Sequence, residues 1–327
     1  MESPGNSPLP EQALSYDDVK TAVGRVAGHI RPVTVTPAEA GPSGGAGHEL
    51  FLALEFLQHT GSFKARGAWN FLRAHHEAGT LPEAGVTIAS GGNAGLACAW
   101  AARRQGVRAT VFLPVTAPKV KVDRLVGYGA EVRLVGTEYA EALAACEAFA
   151  EQSGALASHA YDHPLIAAGA GTLLEEILDR VPGLDTVVVS VGGGGLFAGI
   201  ATAARQHGIR TVAVEPEHCR ALDAALEAGT PVDVPVDSIA ADALGARRAS
   251  AMALDAALRG DVRSVLVPDG EIVRTRQALW DDRRLAVEHA AATALAALPH
   301  AYRPSPGEKV CVVLCGANTD PTDLVAD

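Results

Sequence analysis

The sequence predicts an α/β protein with a doubly wound, largely parallel sheet in a large domain and a smaller α/β domain inserted into it. Three observations carry this. Short apolar segments rich in β-branched residues end in glycine or polar clusters, and Ala-rich stretches of helical composition follow them, the alternation of βαβ units. Runs such as TVVVSV at 186–191 and VCVVLC at 310–315 lack in/out alternation, as strands covered by helices on both faces do. No repeat at a solenoid period and no long linker divides the chain, so a second domain is inserted rather than appended.

Leu50–Glu55 is the first strand, and beyond it Gly61 and Ser62 open a helix whose apolar positions Phe63, Ala65, Gly67, Ala68, Phe71 and Leu72 surround Lys64. Val86–Ala89 follows and ends in SGGN at 90–93; Ala109–Leu113 and Glu131–Val135 continue the alternation. Thr186–Val191 runs into four glycines at 192–195 and then a helix, and Thr211–Val214 ends at Glu215. Val262–Val267 and Lys309–Leu314 complete the set, the last ending in CGAN at 315–318. GPSGGAG at 41–47 and PSPGE at 304–308 read as turns. The expected division is a large domain of residues 1–73 plus 165–327 and a small inserted domain of residues 74–164. Ligands of such sheets bind beyond the carboxyl ends of the strands, so the ends at 90–93, 192–195 and 315–318 mark the expected site between the domains.

The 327 residues are 48% hydrophobic and 20% charged, enough apolar material for a substantial core, which excludes wholesale disorder. Against 38 acidic residues stand 27 basic ones, a net charge of −11 with no basic stripe, so no nucleic-acid partner is expected. Cys98, Cys146, Cys219, Cys311 and Cys315 are scattered, odd in number and form no C-x-x-C pair, which fits a reducing compartment. The start, MESPGNSPLPEQ, has neither a basic region nor an apolar core and reads as loose, and no apolar run reaches membrane-spanning length. A cytoplasmic protein without a membrane partner is the expectation.

In VVVSVGGGGLFAGIATAARQ at 187–206, a strand, four glycines and a helix succeed one another. A tight turn needs one or two glycines. Four let the backbone approach a ligand, with amides converging on an anion at the helix N-terminus, a phosphate cradle. Gly193-x-Gly195-x-x-Ala198 with Glu215 beyond it also matches the dinucleotide spacing, which leaves an NAD(P)-dependent oxidoreductase open. Lys64 discriminates. The other lysines, Lys20, Lys119, Lys121 and Lys309, stand in polar or terminal settings, whereas Lys64 lies among apolar residues near a helix N-terminus, where its charged form is disfavoured. A phosphate cradle plus an imine-forming lysine is what pyridoxal 5'-phosphate requires.

Five segments in order, TGSFKARGA at 60–68, SGGNAGLACAWAA at 90–102, VGGGGLFAG at 191–199, AVEP at 213–216 and LCGANTD at 314–320, resemble the signatures of the serine/threonine dehydratase family. That family belongs to the tryptophan-synthase-β-like, fold type II pyridoxal-phosphate enzymes, and the similarity runs from about Ile30 to the end. The resemblance implies Lys64 as the Schiff-base lysine and Phe63 as a ring-packing neighbour. It implies Asn93 on the cofactor's 3' oxygen, and Gly192, Gly193, Gly194, Gly195 and Leu196 around its phosphate. Cys315 would face the pyridine nitrogen, and Ser90, Gly91, Gly92 and Ala94 would receive the substrate carboxylate. A thiol cannot keep the pyridine protonated, so the ring is the weaker electron sink that suits prompt elimination. The implied activity is that of an ammonia-lyase, or dehydratase, acting on serine, threonine or a larger β-hydroxy amino acid. β-Replacement and racemisation are the alternatives, and a homodimer is the implied assembly.

The departures bear on specificity. Ala94 stands where many threonine dehydratases have His, and Gly91 where related racemases have the serine that protonates the second face, so elimination is favoured over racemisation. Glu215 matches a first metal-ligand position, but EHCRA at 217–221 lacks the usual acidic partner, so no metal is assigned. Ala243 replaces a glycine of the family's IADGL stretch and His289 a proline of VEPAGA, with Glu288 retained to order the site. His59, just before TGSFK, is placed near the site by sequence adjacency alone. No regulatory domain is expected after Asp327.

Overall fold

The computed structural model describes residues 14–38 and 47–325, so the N-terminal dozen and all of the 41–47 turn but Gly47 lie outside the described residues. Ten strands form two sheets: β1 Val35–Ala38, β2 Glu49–Ala53, β3 Val86–Ala89, β4 Ala109–Leu113, β5 Glu131–Leu134, β6 Leu156–Ala157, β7 Thr186–Ser190, β8 Arg210–Pro216, β9 Val262–Val267 and β10 Lys309–Val313. The larger sheet has the order β1-β2-β10-β7-β8-β9 and the smaller the order β5-β4-β3-β6. Every pairing is parallel except β1 with β2. The fold is the mixed, largely parallel α/β architecture expected. The short β1 and β6 have no clear sequence signal, being four and two residues long.

The first predicted strand ends early. β2 stops at Ala53, and Glu55 opens a short 3₁₀ turn in which its buried carboxylate meets Arg66, a group that a sheet position could not deliver. The helix after it begins at Lys64 rather than Gly61, because Thr60 and Gly61 take positive φ (64° and 78°) in a tight loop. Arg66, 0% exposed, is held by charge-assisted bonds from Nε and Nη2 to Glu55 (2.5 and 3.0 Å) and from Nη1 to Glu176 (2.7 Å).

The chain leaves β2 for the smaller sheet, returns to β7, steps outward through β8 and β9, and comes back with β10 between β2 and β7. Three adjacent strands, β2, β10 and β7, therefore send the loops before Lys64, through Cys315 and through the glycine run out of one edge. Their valines, Val187 to Val189 and Val310, Val312 and Val313, are fully buried, the consequence of helices on both faces.

Three helices fix the spacing of the site. Pro164–Arg180 contacts both Lys64–Glu77 and Gly195–His207. A Cβ at Gly67 would stand 2.6 Å from the Ile166 carbonyl oxygen, and one at Gly169 2.7 Å from that of Arg66. One at Gly171 would stand 2.7 Å from the Gly199 carbonyl oxygen, so these helices meet backbone to backbone. No helix among the described residues is long and apolar enough to cross a membrane.

Candidate active site

Lys64 opens its helix, with the positive end of the helix dipole against its ammonium. It keeps some solvent contact yet is enclosed by protein, and this desolvation lowers its pKa to about 8, with Cys315 and Glu288 opposing the shift. Its Nζ donates to the Ala160 carbonyl at 2.8 Å and lies 4.7 Å from the centre of the Phe63 ring. The loop carrying Lys64 is tied to the loop after β10: Phe63 N donates to Cys315 O at 3.0 Å, and Ala317 N to Gly61 O at 2.9 Å. Cys315 is 3% exposed, burial pushes its thiol up to about 12, and its Sγ lies 3.6 Å from Ser190 Oγ at the end of β7. A neutral thiol at this edge is what the sequence reading expects.

Gly194, the N-cap of the helix Gly195–His207, has φ +95°, and a side chain there would overlap Ala253. A Cβ on Gly193 would strike the Tyr161 ring face, and one on Gly192 would stand 3.0 Å from Leu244 Cα. No side chain caps this helix, and among the described residues the amides of Gly195, Leu196 and Phe197 have no hydrogen-bond acceptor. Such a helix start is an anion site. Ser90, Gly91, Gly92 and Ala94 line a second, half-buried helix start, at Asn93–Gln105, also without a side-chain cap. Gly95 follows closely enough on Ser90 O that any Cβ would overlap it, and a Cβ on Gly91 would meet Leu113 Cδ2 at 2.8 Å.

Asn93 reaches across from the smaller sheet. Its Nδ2 donates to Glu288 Oε1 and Oε2 at 3.0 and 3.1 Å, and its Oδ1 accepts from Asn318 Nδ2 at 2.6 Å. Burial raises the Glu288 carboxyl, against the pull of Asn93 and of the Asn318 amide. The structure thus brings Phe63, Lys64, Asn93, Glu288 and Cys315 into one connected set, with the glycine run joined to it through Ala160 and Tyr161.

Two expectations fall elsewhere. Glu215 is 0% exposed and both its oxygens accept helix amides, Leu222 N and Asp223 N at 2.8 Å each. Burial lifts its pKa to about 8, and both its oxygens are engaged by the start of the following helix. No group of three metal-ligating side chains occurs among the described residues. His59 does not turn to Lys64; its ring stacks on Trp100 at 4.5 Å. Sequence reasoning overlooked Ala160, Tyr161 and Arg124, which carry no motif, and treated Asn318 as a neighbour only.

The residues present fit pyridoxal phosphate. Besides the unpaired helix amides, the buried hydroxyls of Thr60 and Ser62 have no partner, and they lie in the loop that leads directly into Lys64, whose amine is readily deprotonated. The dinucleotide reading loses its acidic residue to the helix cap.

Comparison with known proteins agrees. A family model described as "Pyridoxal-phosphate dependent enzyme" matches residues 27–316. A rat protein named "Serine dehydratase-like" is 37% identical over 84% of this chain and 86% of its own length. The L-threonine ammonia-lyase of Geobacter sulfurreducens is 37% identical over 84% of this chain and 68% of its own. The structure of maize serine racemase superposes with a TM-score of 0.88 at 28% identity, covering 96% of each chain. With a lysine, a glycine cradle and a neutral thiol assembled at one sheet edge, and with this match over most of its length, the chain belongs to the pyridoxal-phosphate dependent enzyme family.

Proposed function

We propose that the protein is an ammonia-lyase that eliminates water from a β-hydroxy amino acid to give an enamine, which tautomerises to an imine and takes up one water to give a 2-oxo acid and ammonia. The observation that carries the reading is Lys64: an enclosed amine near pKa 8, held by the Ala160 carbonyl at 2.8 Å beside a neutral thiol and an uncapped glycine cradle. When bound, pyridoxal phosphate supplies an electron sink for the bond to hydrogen at the substrate Cα. Lys64 Nζ takes the Cα proton as general base. The amides that start the helix Asn93–Gln105 receive the substrate carboxylate, and Ser90 adds its hydroxyl. Asn93 binds the cofactor's phenolic oxygen, Phe63 packs on its ring, and Gly192 to Leu196 hold its phosphate. The names of the rat and Geobacter relatives support a dehydratase. Gly91 offers no second acid and Leu113 fills the place of its side chain, which favours elimination over racemisation. Residues 74–164 act as an inserted domain over the cofactor, the substrate is a free amino acid, and the working assembly is a cytoplasmic homodimer.

The test is borohydride reduction of the cofactor-loaded protein with peptide mapping, followed by 2-oxo acid assays on L-serine, L-threonine, D-serine and aryl-serines. Label on Lys64, product from one of these, and its loss in Lys64→Ala are expected. Substantial 2-oxo acid formation by Lys64→Ala would overturn the assignment.

A further inference from the structure

We propose that Arg124 and Asn318 form a relay that fixes the orientation of the Asn93 amide, which makes both of them positioning residues for the cofactor. The inference rests on the reading that Asn93 binds the cofactor's phenolic oxygen.

Arg124 projects from the helix Lys119–Gly127 and is exposed, with no carboxylate partner among the described residues. Its Nη2 donates to Asn318 Oδ1 at 2.6 Å. The other end of Asn318, Nδ2, donates to the Thr60 carbonyl at 2.7 Å and to Asn93 Oδ1 at 2.6 Å. A side-chain amide can sit either way round, and its neighbours decide which. A guanidinium only donates and a main-chain carbonyl only accepts, so Asn318 has one orientation available. Its Nδ2 then presents hydrogen to Asn93, which must answer with Oδ1. The Nδ2 of Asn93 is thereby turned toward Glu288, to both of whose carboxylate oxygens it donates, and it would reach the cofactor oxygen by exchanging one of these two bonds.

Glu288 enforces this only while it is ionised. Burial raises its carboxyl, and a carboxyl that takes up a proton donates as well as accepts, so it would tolerate Asn93 either way round. Arg124 removes the ambiguity from the outside. It stands on the smaller sheet's side of the cleft and Asn318 on the larger, so the Asn93 amide is oriented when the two sides are in contact.

The experiment is titration of cofactor-free protein with pyridoxal phosphate, recording the apparent Kd and the position of the visible absorption band. Variants are Asn93→Ala, Asn318→Ala, Arg124→Gln, Arg124→Lys and the pair Asn93→Ala/Asn318→Ala, with melting temperature as the check on folding. Asn93→Ala is expected to weaken binding about tenfold and to move the band. Asn318→Ala is expected to weaken it about fivefold with a band shift of the same sign, Arg124→Gln about threefold, and Arg124→Lys less than Arg124→Gln. On top of Asn93→Ala, Asn318→Ala should add nothing, because the group it orients is gone. The relay is overturned if Asn318→Ala and Arg124→Gln match the parent while Asn93→Ala does not, or if the Asn318→Ala effect persists in full in the pair. If Asn93→Ala itself changes neither reading, the assignment of Asn93 fails and the relay with it. Should Asn318→Ala not fold, Arg124→Gln decides, since its side chain is on the surface.

Discussion

The enclosure of Lys64 has a kinetic consequence that can be measured before any substrate is known. Imine formation needs the neutral amine. An ordinary lysine at 10.5 is neutral at pH 7 in about one molecule in three thousand, whereas one near 8 is neutral in about one in ten, a gain of about 300-fold. The perturbation is pH, from 6.5 to 9.5. The assay is stopped-flow capture of pyridoxal phosphate by cofactor-free protein, each rate divided by that of a simple alkylamine in the same buffer to cancel the cofactor's own titration. The ratio should be largest at low pH and bend near pH 8, above which further neutralisation of Lys64 gains nothing. A ratio independent of pH, with no bend before 9.5, would mean that the amine is as solvated as a surface lysine, and the reasoning from desolvation would be wrong.

Arg66→Met should destabilise the protein by about 3–5 kcal/mol in urea unfolding, because Glu55 is left buried and unpaired; adding Glu55→Leu should recover much of it. Gly194→Ala forces a side chain onto a residue with φ +95° and into Ala253, so a loss of about 1–3 kcal/mol and markedly weaker cofactor binding are expected by melting and titration. His163 caps the helix Pro164–Arg180 through Nδ1, which accepts from Leu165 N at 3.1 Å, and burial depresses its pKa to about 4. A folded value below the ordinary 6.5 means that protonation favours unfolding, so stability is full above pH 6.5 and declines as pH falls toward 4. His163→Asn, which keeps an N-cap, should flatten the melting temperature over that interval; an unchanged slope would show that another group sets it.

The strand segments were readable because they are apolar, β-branched and punctuated by glycine, and those same features place them inside two parallel sheets. Lys64 and the glycine run were legible for a related reason: each breaks a local rule, a cation among apolar neighbours and four flexible residues where a turn needs fewer. What escaped lies in residues whose roles come from tertiary proximity. Tyr161 matters because its ring covers Gly193, 32 positions away in sequence, and Arg124 because its guanidinium reaches Asn318. Glu55 was assigned to a strand because its neighbours are apolar; nothing local records that Arg66 draws it out of the sheet. Glu215 followed spacing to a ligand role, and its two helix amides show how a buried carboxylate can be used up by backbone alone.

The contacts among the helices at 64–77, 164–180 and 195–207 act on the site as a gauge. Side chains that touch through several rotatable bonds let the gap between two helices drift as residues are exchanged. Here the glycines Gly67, Gly169, Gly171 and Gly199 leave main chain against main chain, so the span from Lys64 to the glycine run at 192–195 is set by parts that substitution elsewhere does not alter. A pocket wall can then vary to suit a different amino acid while Lys64 and the glycine run, the two ends proposed to grip the cofactor, keep their spacing.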